Sequence, residues 1–314
     1  MKPQDSPPPH SSQTPEGASA PEGAHANASL DTLAAHLERL NIEKIKNTPF
    51  NRAELKDIVA RLEDDILMGR WFTADYASTD LKLMPALVDQ ANRKYPEMRL
   101  QLVASSHDFA LALKETLEKG IKSSRFIIHT KDRGIHFSVI DHQTIDDKTS
   151  VIFFEPTTFK NMQSAVLALR AQLAIKAHEL SNCSFAMAEM DIQRSSSECG
   201  MFSLSLAKKL YLEAQKLERL HKDNIKGVLC EPDTPLPAEK LDPYLPARLY
   251  KHVQGRRRLR EYLTANPEAA HEKVNKKGET LNERFERSLV ATETKTVSVS
   301  QHRKRATEYK SLMM

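Results

Sequence analysis

Long apolar runs are absent. No stretch approaches the ~18 residues that a membrane-spanning helix needs, so no transmembrane segment is expected. Cysteine is scarce: Cys183, Cys199 and Cys230 are too few for a disulfide framework. The odd count points to a reducing compartment, or to one reactive thiol beside two inert ones. Residues 1–29 contain no Leu, Ile, Val, Phe, Tyr or Trp, yet hold six of the 16 prolines. Such a segment cannot bury enough apolar surface to offset its ordering entropy, so it is expected to be disordered. It also lacks the apolar stretch of a secretory signal peptide, and would suit a different export machine.

What is present is ordinary for a globular chain of one or two domains: 314 residues, 40% hydrophobic and 28% charged. The charge is uneven. From Lys240 to Met314 there are 17 Lys/Arg against nine Asp/Glu, a net +8, while the remainder carries −4. A basic C-terminal quarter on a nearly neutral body suits an anionic ligand or surface. Nucleic acid is not expected, because only Tyr250 and Tyr262 are aromatic near the densest basic run.

Periodicity predicts an α+β chain. Leu30, Leu33, Leu37 and Leu40 recur at helical spacing. Leu55, Ile58, Leu62 and Ile66 form a second stripe, which Gly69 ends. Further helices are expected over Leu83–Arg93, Phe109–Glu118 and Met162–Ala177. A long one runs from near Cys199 to Leu217, with Lys208, Lys209 and Lys216 on its solvated side. Strands are expected over 125–130, 135–140, 150–154 and 184–190, with Asp146-Asp147 as a turn. A Pro-rich connector (Pro232 to Pro246) leads into a basic, mostly helical end. The expected division is a leader over 1–29, N-terminal helices and a catalytic core over 30–230, and a basic helical regulatory region over 231–314.

Cys199 sits in Gln193-Arg-Ser-Ser-Ser-Glu-Cys-Gly200, between a strand and a helix. A thiol at a helix N-terminus feels the positive end of the dipole, which favours thiolate. A nucleophile also needs a base and a group to orient it. His136 lies on one strand and Glu155 closes the next, an arrangement in which a carboxylate fixes an imidazole's tautomer. Gln193 could supply an amide N–H to an oxyanion, beside the Cys199 backbone N–H.

The order His, Glu, Gln, Cys-Gly resembles the Ulp-like clan of cysteine hydrolases. Within that clan it is similar to the YopJ family of type III secreted acetyltransferases, in its AvrA-like branch. The resembling stretches include His136-Phe-Ser-Val-Ile-Asp141, Phe154-Glu-Pro156, Asp191-Ile-Gln-Arg-Ser-Ser-Ser-Glu-Cys-Gly200, Asp223-Asn-Ile-Lys-Gly227, Leu241-Asp-Pro-Tyr-Leu-Pro246 and Tyr250-Lys-His252. The resemblance runs from about Leu30 to the end and implies a Ulp-like cysteine-protease-type core, a small sheet with packed helices. A helical regulatory region would be drawn from the N- and C-terminal segments.

It further implies acetyl transfer from acetyl-CoA, through a Cys199 thioester, to Ser/Thr (and Lys) of host signalling proteins, MAP kinase kinases above all. His136 would be the base, Glu155 its orienter and Gln193 an oxyanion donor. Inositol hexakisphosphate would be the activator. Arg194, His221, Lys251, His252, Arg256, Arg257, Arg258 and Arg260 would contact it or the CoA. Secretion by a type III system into the host cytoplasm would follow. The alternative is a cysteine protease acting on ubiquitin-like conjugates, which the same triad would support.

Overall fold

The computed structural model describes residues 49–132, 134–180, 182–291 and 296–314. The expected leader over 1–29, and the helix built on Leu30, Leu33, Leu37 and Leu40, lie outside the described residues. Helix α1 (Arg52–Leu67) starts at Asn51, whose side chain accepts the Glu54 N–H while the Glu54 carboxylate accepts the Asn51 N–H. This reciprocal cap satisfies donors that the first turn cannot. Gly69, at φ +70°, lets the chain reverse after it. Helix α2 (Ala77–Lys94) begins six residues before the expected Leu83 and carries Pro85 inside it. A proline removes an N–H and favours a start near it. Here burial of Leu83, Met84, Leu87 and Val88 along one face offsets that loss.

The sheet is built from β1 (Leu100–Val103), β2 (Ser123–Thr130), β3 (His136–Ile145), β4 (Lys148–Glu155) and β5 (Cys183–Glu189), in that order across it. Helix α3 (Ser106–Glu118) links β1 to β2, and α4 (Met162–Ala177) links β4 to β5; both of those strand pairs are parallel. The central pairs are antiparallel. Asp146 and Asp147 both take positive φ between paired Ile145 and Lys148, the geometry a two-residue hairpin requires. Strand β1 was not anticipated; four residues are too few to show an alternation. Both sheet faces are covered. Ile127, Phe137, Val139, Ile152 and Phe154 join one cluster with α5 (Cys199–Leu212), while Phe126, Ile128, Ile140, Val151 and Phe153 join another with α3 and α4.

Helix α5 stops at Leu212 and a 3-10 turn continues to Leu217. Its Lys208 and Lys209 are half-buried rather than solvated, because the helix is covered along most of its surface; Lys216 is exposed as expected. Helices α6 (Glu218–Ile225), α7 (Ala238–Leu241), α8 (Arg256–Ala265), α9 (Leu281–Arg287) and α10 (Ser300–Ser311) follow. The basic end is not only helical: β6 (Leu289–Ala291) pairs with β7 (Thr296–Ser298), and Val297 and Val299 pack on Trp71. The β-branched Thr296 and Val297 suit a strand. Helix α10 packs on α1 and α5. Its fully buried Arg305 grips both carboxylate oxygens of Asp80, at 3.0 and 2.9 Å, and donates to the Ser197 carbonyl.

Candidate active site

Because Val139 pairs with Phe154 and side chains alternate, residues 136, 138 and 155 share one face at one end of the β3–β4 hairpin. Glu155, fully buried, takes four hydrogen bonds there. Its Oε2 accepts from His136 Nε2 at 2.9 Å and Ser138 Oγ at 2.7 Å; its Oε1 accepts from the Thr157 N–H at 2.9 Å and Oγ1 at 2.7 Å. The chain leaving β5 is laid across this end by its backbone. The Met190 N–H donates to the Glu155 carbonyl, and those of Ile192 and Gln193 to the Pro156 carbonyl. That path delivers Cys199, the buried first residue of α5, beside His136.

The electrostatics follow from this. Burial alone would deprotonate His136 and protonate Glu155. Burial is the largest single influence on each, but the partner's charge and the hydrogen bonds together exceed it, so the imidazole is held up at about 10, helped by Cys199, while Glu155 stays below the usual carboxylate value. By contrast, burial lifts Cys183 to about 11 and pushes Cys230 up as well. Gln193 is buried beside the site and spends one amide hydrogen on the Ser195 carbonyl, at 2.8 Å.

The remaining sequence-predicted contacts are scattered. Arg194 forks onto the Asp191 carboxylate, which neutralises much of its charge locally. His221 is sealed in the core between Asp141 Oδ2 (3.1 Å) and Ser150 Oγ (2.8 Å), so it cannot touch a ligand. The run Arg256 to Arg260 does not act as one cluster, because successive residues turn through ~100° on a helix. Arg258 points inward, doubly bonded to Asp242 and donating to the Met190 carbonyl. Arg256 pairs with Glu286, Arg257 with Glu261 at 3.5 Å, and both are exposed, as is Arg260.

A basic cavity of about 430 Å³ lies elsewhere, lined among others by Lys94, Lys208, Lys209, Lys251, His252 and Lys304. Glu308, its carboxylate, meets Lys208 at 2.8 Å and Lys304 at 2.7 Å. Burial, then the charges of Lys251, Arg284 and Lys304, drive Lys209 well below its ordinary value. Lys251 falls to about 8, from burial and then from Arg284 and Lys304. Sequence reasoning found Lys251 and His252. It missed Lys94, Lys208, Lys209 and Lys304, which come from three helices far apart in the chain and share no motif.

A family model described as YopJ Serine/Threonine acetyltransferase matches residues 54–311. The chain is 52% identical over 271 residues to the serine/threonine-protein acetyltransferase YopJ of Yersinia pestis, covering 86% of this chain and 94% of that one. The Yersinia pseudotuberculosis YopJ matches equally well. Among solved structures, a deletion form of AvrA with IP6 and CoA superposes with a TM-score of 0.81 at 49% identity, covering 84% of this chain and 99% of that one. HopZ1a in complex with IP6 and CoA shares the fold, with a TM-score of 0.67 at 18% identity over 88% of this chain and 97% of that one. With its hairpin, cysteine helix and basic cavity all inside the matched span, this chain belongs to the YopJ serine/threonine acetyltransferase family.

Proposed function

We propose that Cys199 is the nucleophile of a ping-pong acetyl transfer, with His136 as base and Glu155 as its orienter. The observation that carries this is the buried His136–Glu155 pair, 2.9 Å apart, beside a cysteine at the N-terminus of α5. Glu155 takes Nε2, which leaves Nδ1 to exchange a proton with the thiol. The Cys199 thiolate attacks the acetyl carbonyl of acetyl-CoA, and the bond to the CoA sulfur breaks. His136 gives its proton to the departing thiolate. It then takes the proton of an acceptor hydroxyl (or amine) as that group attacks the Cys199 thioester, which frees the thiolate again. In this reading the Cys199 backbone N–H and the second amide hydrogen of Gln193 donate to the oxyanion.

The acceptors in this reading are Ser/Thr, and Lys, of host MAP kinase kinases, whose acetylation would block their phosphorylation. The leader over 1–29 serves type III secretion into the host cytoplasm, and residues 231–314 regulate the core. The basic cavity fits a polyphosphate: five lysines line it, and an anion there would relieve the cost of confining Lys209 among cations. Inositol hexakisphosphate is the activator in this reading, and Lys251 and His252 are its contacts in place of the Arg256–Arg260 run.

The test is incubation of the full chain with labelled acetyl-CoA and a MAP kinase kinase, with and without inositol hexakisphosphate. Label should reach the kinase only with the activator. It should vanish in Cys199→Ala and persist in Cys183→Ala and Cys230→Ala. Cleavage of a ubiquitin-like conjugate without acetyl transfer would instead assign the triad to hydrolysis.

A further inference from the structure

The loop that carries the nucleophile is held from outside the catalytic hairpin. Gln254 is completely buried, and every polar atom it has is bonded. Its N–H donates to the Ile192 carbonyl at 2.9 Å, and its own carbonyl accepts from the Ser298 N–H at 3.2 Å. Its Oε1 accepts the backbone N–H groups of Arg194 and Ser195, the latter at 2.9 Å. Its Nε2 donates to Glu198, the residue before Cys199. Ser195 Oγ donates to the same Glu198 oxygen. One glutamine therefore gathers both ends of the turn that precedes the thiol.

The same short segment reaches the basic cavity. Lys251 and His252 line that cavity, and only Val253 separates them from Gln254. His252 Nδ1 meets Ser300 Oγ at 2.7 Å, at the start of α10, whose Lys304 also lines the cavity. On the other side of Gln254, a Cβ on Gly255 would stand 3.3 Å from the Arg194 guanidine, so the backbone lies directly against the loop. Residues 251–255 form a strap with one end in the cavity and the other woven into the nucleophile loop.

We propose that Gln254 is a positioning residue that sets the Gln193–Glu198 loop, and so the approach of Cys199, according to whether the basic cavity holds a polyanion. It touches no reacting atom; it acts through Glu198 and the Arg194 and Ser195 amides. The rate effect rests on the acetyl-transfer reading, but the state of the thiol does not.

The experiment uses the full chain, with inositol hexakisphosphate as the probe. It compares Gln254→Leu, Gln254→Glu, and Gln254→Glu combined with Glu198→Gln. The readouts are the rate of Cys199 alkylation by iodoacetamide, the kcat and KM for acetyl-CoA, and the thermal midpoint. In the parent protein the polyanion should raise the midpoint and change the alkylation rate severalfold. Gln254→Leu should keep the midpoint rise, lose the thiol response, and lower kcat by about tenfold to a hundredfold with KM little changed. Gln254→Glu should be worse, since two carboxylates then face each other. The combined exchange restores one donor against one acceptor and should recover kcat and the thiol response to within about threefold. A thiol response that survives Gln254→Leu, or one absent from the parent, overturns the proposal. So does a combined exchange that recovers nothing, whether it folds or not. If Gln254→Leu fails to fold, the two glutamate variants decide alone. A thiol that responds in a protein without acetyl transfer would sink the transferase reading and leave the positioning role standing.

Discussion

Ser164 Oγ stands 3.1 Å from His136 Nε2, the nitrogen that also meets Glu155. Ser164 lies in the first turn of α4 and is 3.3 Å from Thr157 Oγ1, which donates to Glu155. The imidazole is thus fixed by a hydroxyl network as well as by one carboxylate. Ser164→Ala removes a neutral partner and leaves the ion pair, so it should cost about 1 kcal/mol, a two- to tenfold loss in kcat. Glu155→Gln removes the charge and should cost far more. Steady-state rates of the two variants check the ranking.

The second prediction concerns the imidazole's titration. The Glu155 charge is the leading cause that holds His136 up at about 10 against burial. In Glu155→Gln, burial should win and the titration should fall to about 6.5 or below, as read by NMR of the ring protons. A folded-state value above the unfolded one stabilises the protein fully below the unfolded value of 6.5, and that contribution is lost as pH rises through about 10. The midpoint gap between parent and variant should therefore narrow between those two values.

Polyanion binding should take up protons near pH 8. Lys251 titrates at about 8, and Lys209 and His252 are pushed well below their ordinary values by burial and neighbouring cations. An incoming polyanion favours their charged forms. Calorimetry in buffers of high and low ionisation enthalpy should show the uptake, and Lys251→Met should reduce it. Without the ligand the sign is opposite to that of His136. Between about pH 8 and 10.5 the unfolded chain binds more protons than the folded one, so the stability penalty that Lys251 imposes shrinks as pH rises through that range.

Arg305 is the cation between Asp80 and Glu198, whose nearer oxygen is 3.7 Å away. Arg305→Met leaves two buried carboxylates without it and should lower stability by about 3–5 kcal/mol. Replacing Asp80 by Leu in the same chain should recover part of that loss. Urea unfolding of the three variants tests it.

The hairpin that joins His136 to Glu155 was legible in the sequence, for a physical reason. His136, Glu155 and Cys199 each sit at the end of a regular element, and element ends are marked by local signals: Asp146-Asp147 for the turn, Pro156 after a strand, Gly200 after the thiol. The Arg256–Arg260 run reads as one basic cluster only when charge is counted without helix phase. Arg258 is two residues from both Arg256 and Arg260 and faces the opposite way, onto Asp242. Lys208 and Lys209 read as solvated from sequence because nothing local shows that α10 packs over α5. Gln254 carried no signal at all; its weight comes from partners about 60 positions away.

Asp80 and Arg305 are 225 positions apart in the chain. Closing so long a loop costs roughly 5 kcal/mol of chain entropy before any contact rewards it. The β2–β3–β4 meander pairs near neighbours and can assemble early, whereas contacts of such separation form late. Contact separation therefore predicts that the hairpin carrying His136 and Glu155 forms before the Asp80–Arg305 strut beside the Cys199 loop. On that expectation the surroundings of the thiol are completed at the pace of the longest loop closure in the chain rather than by the strands beside it.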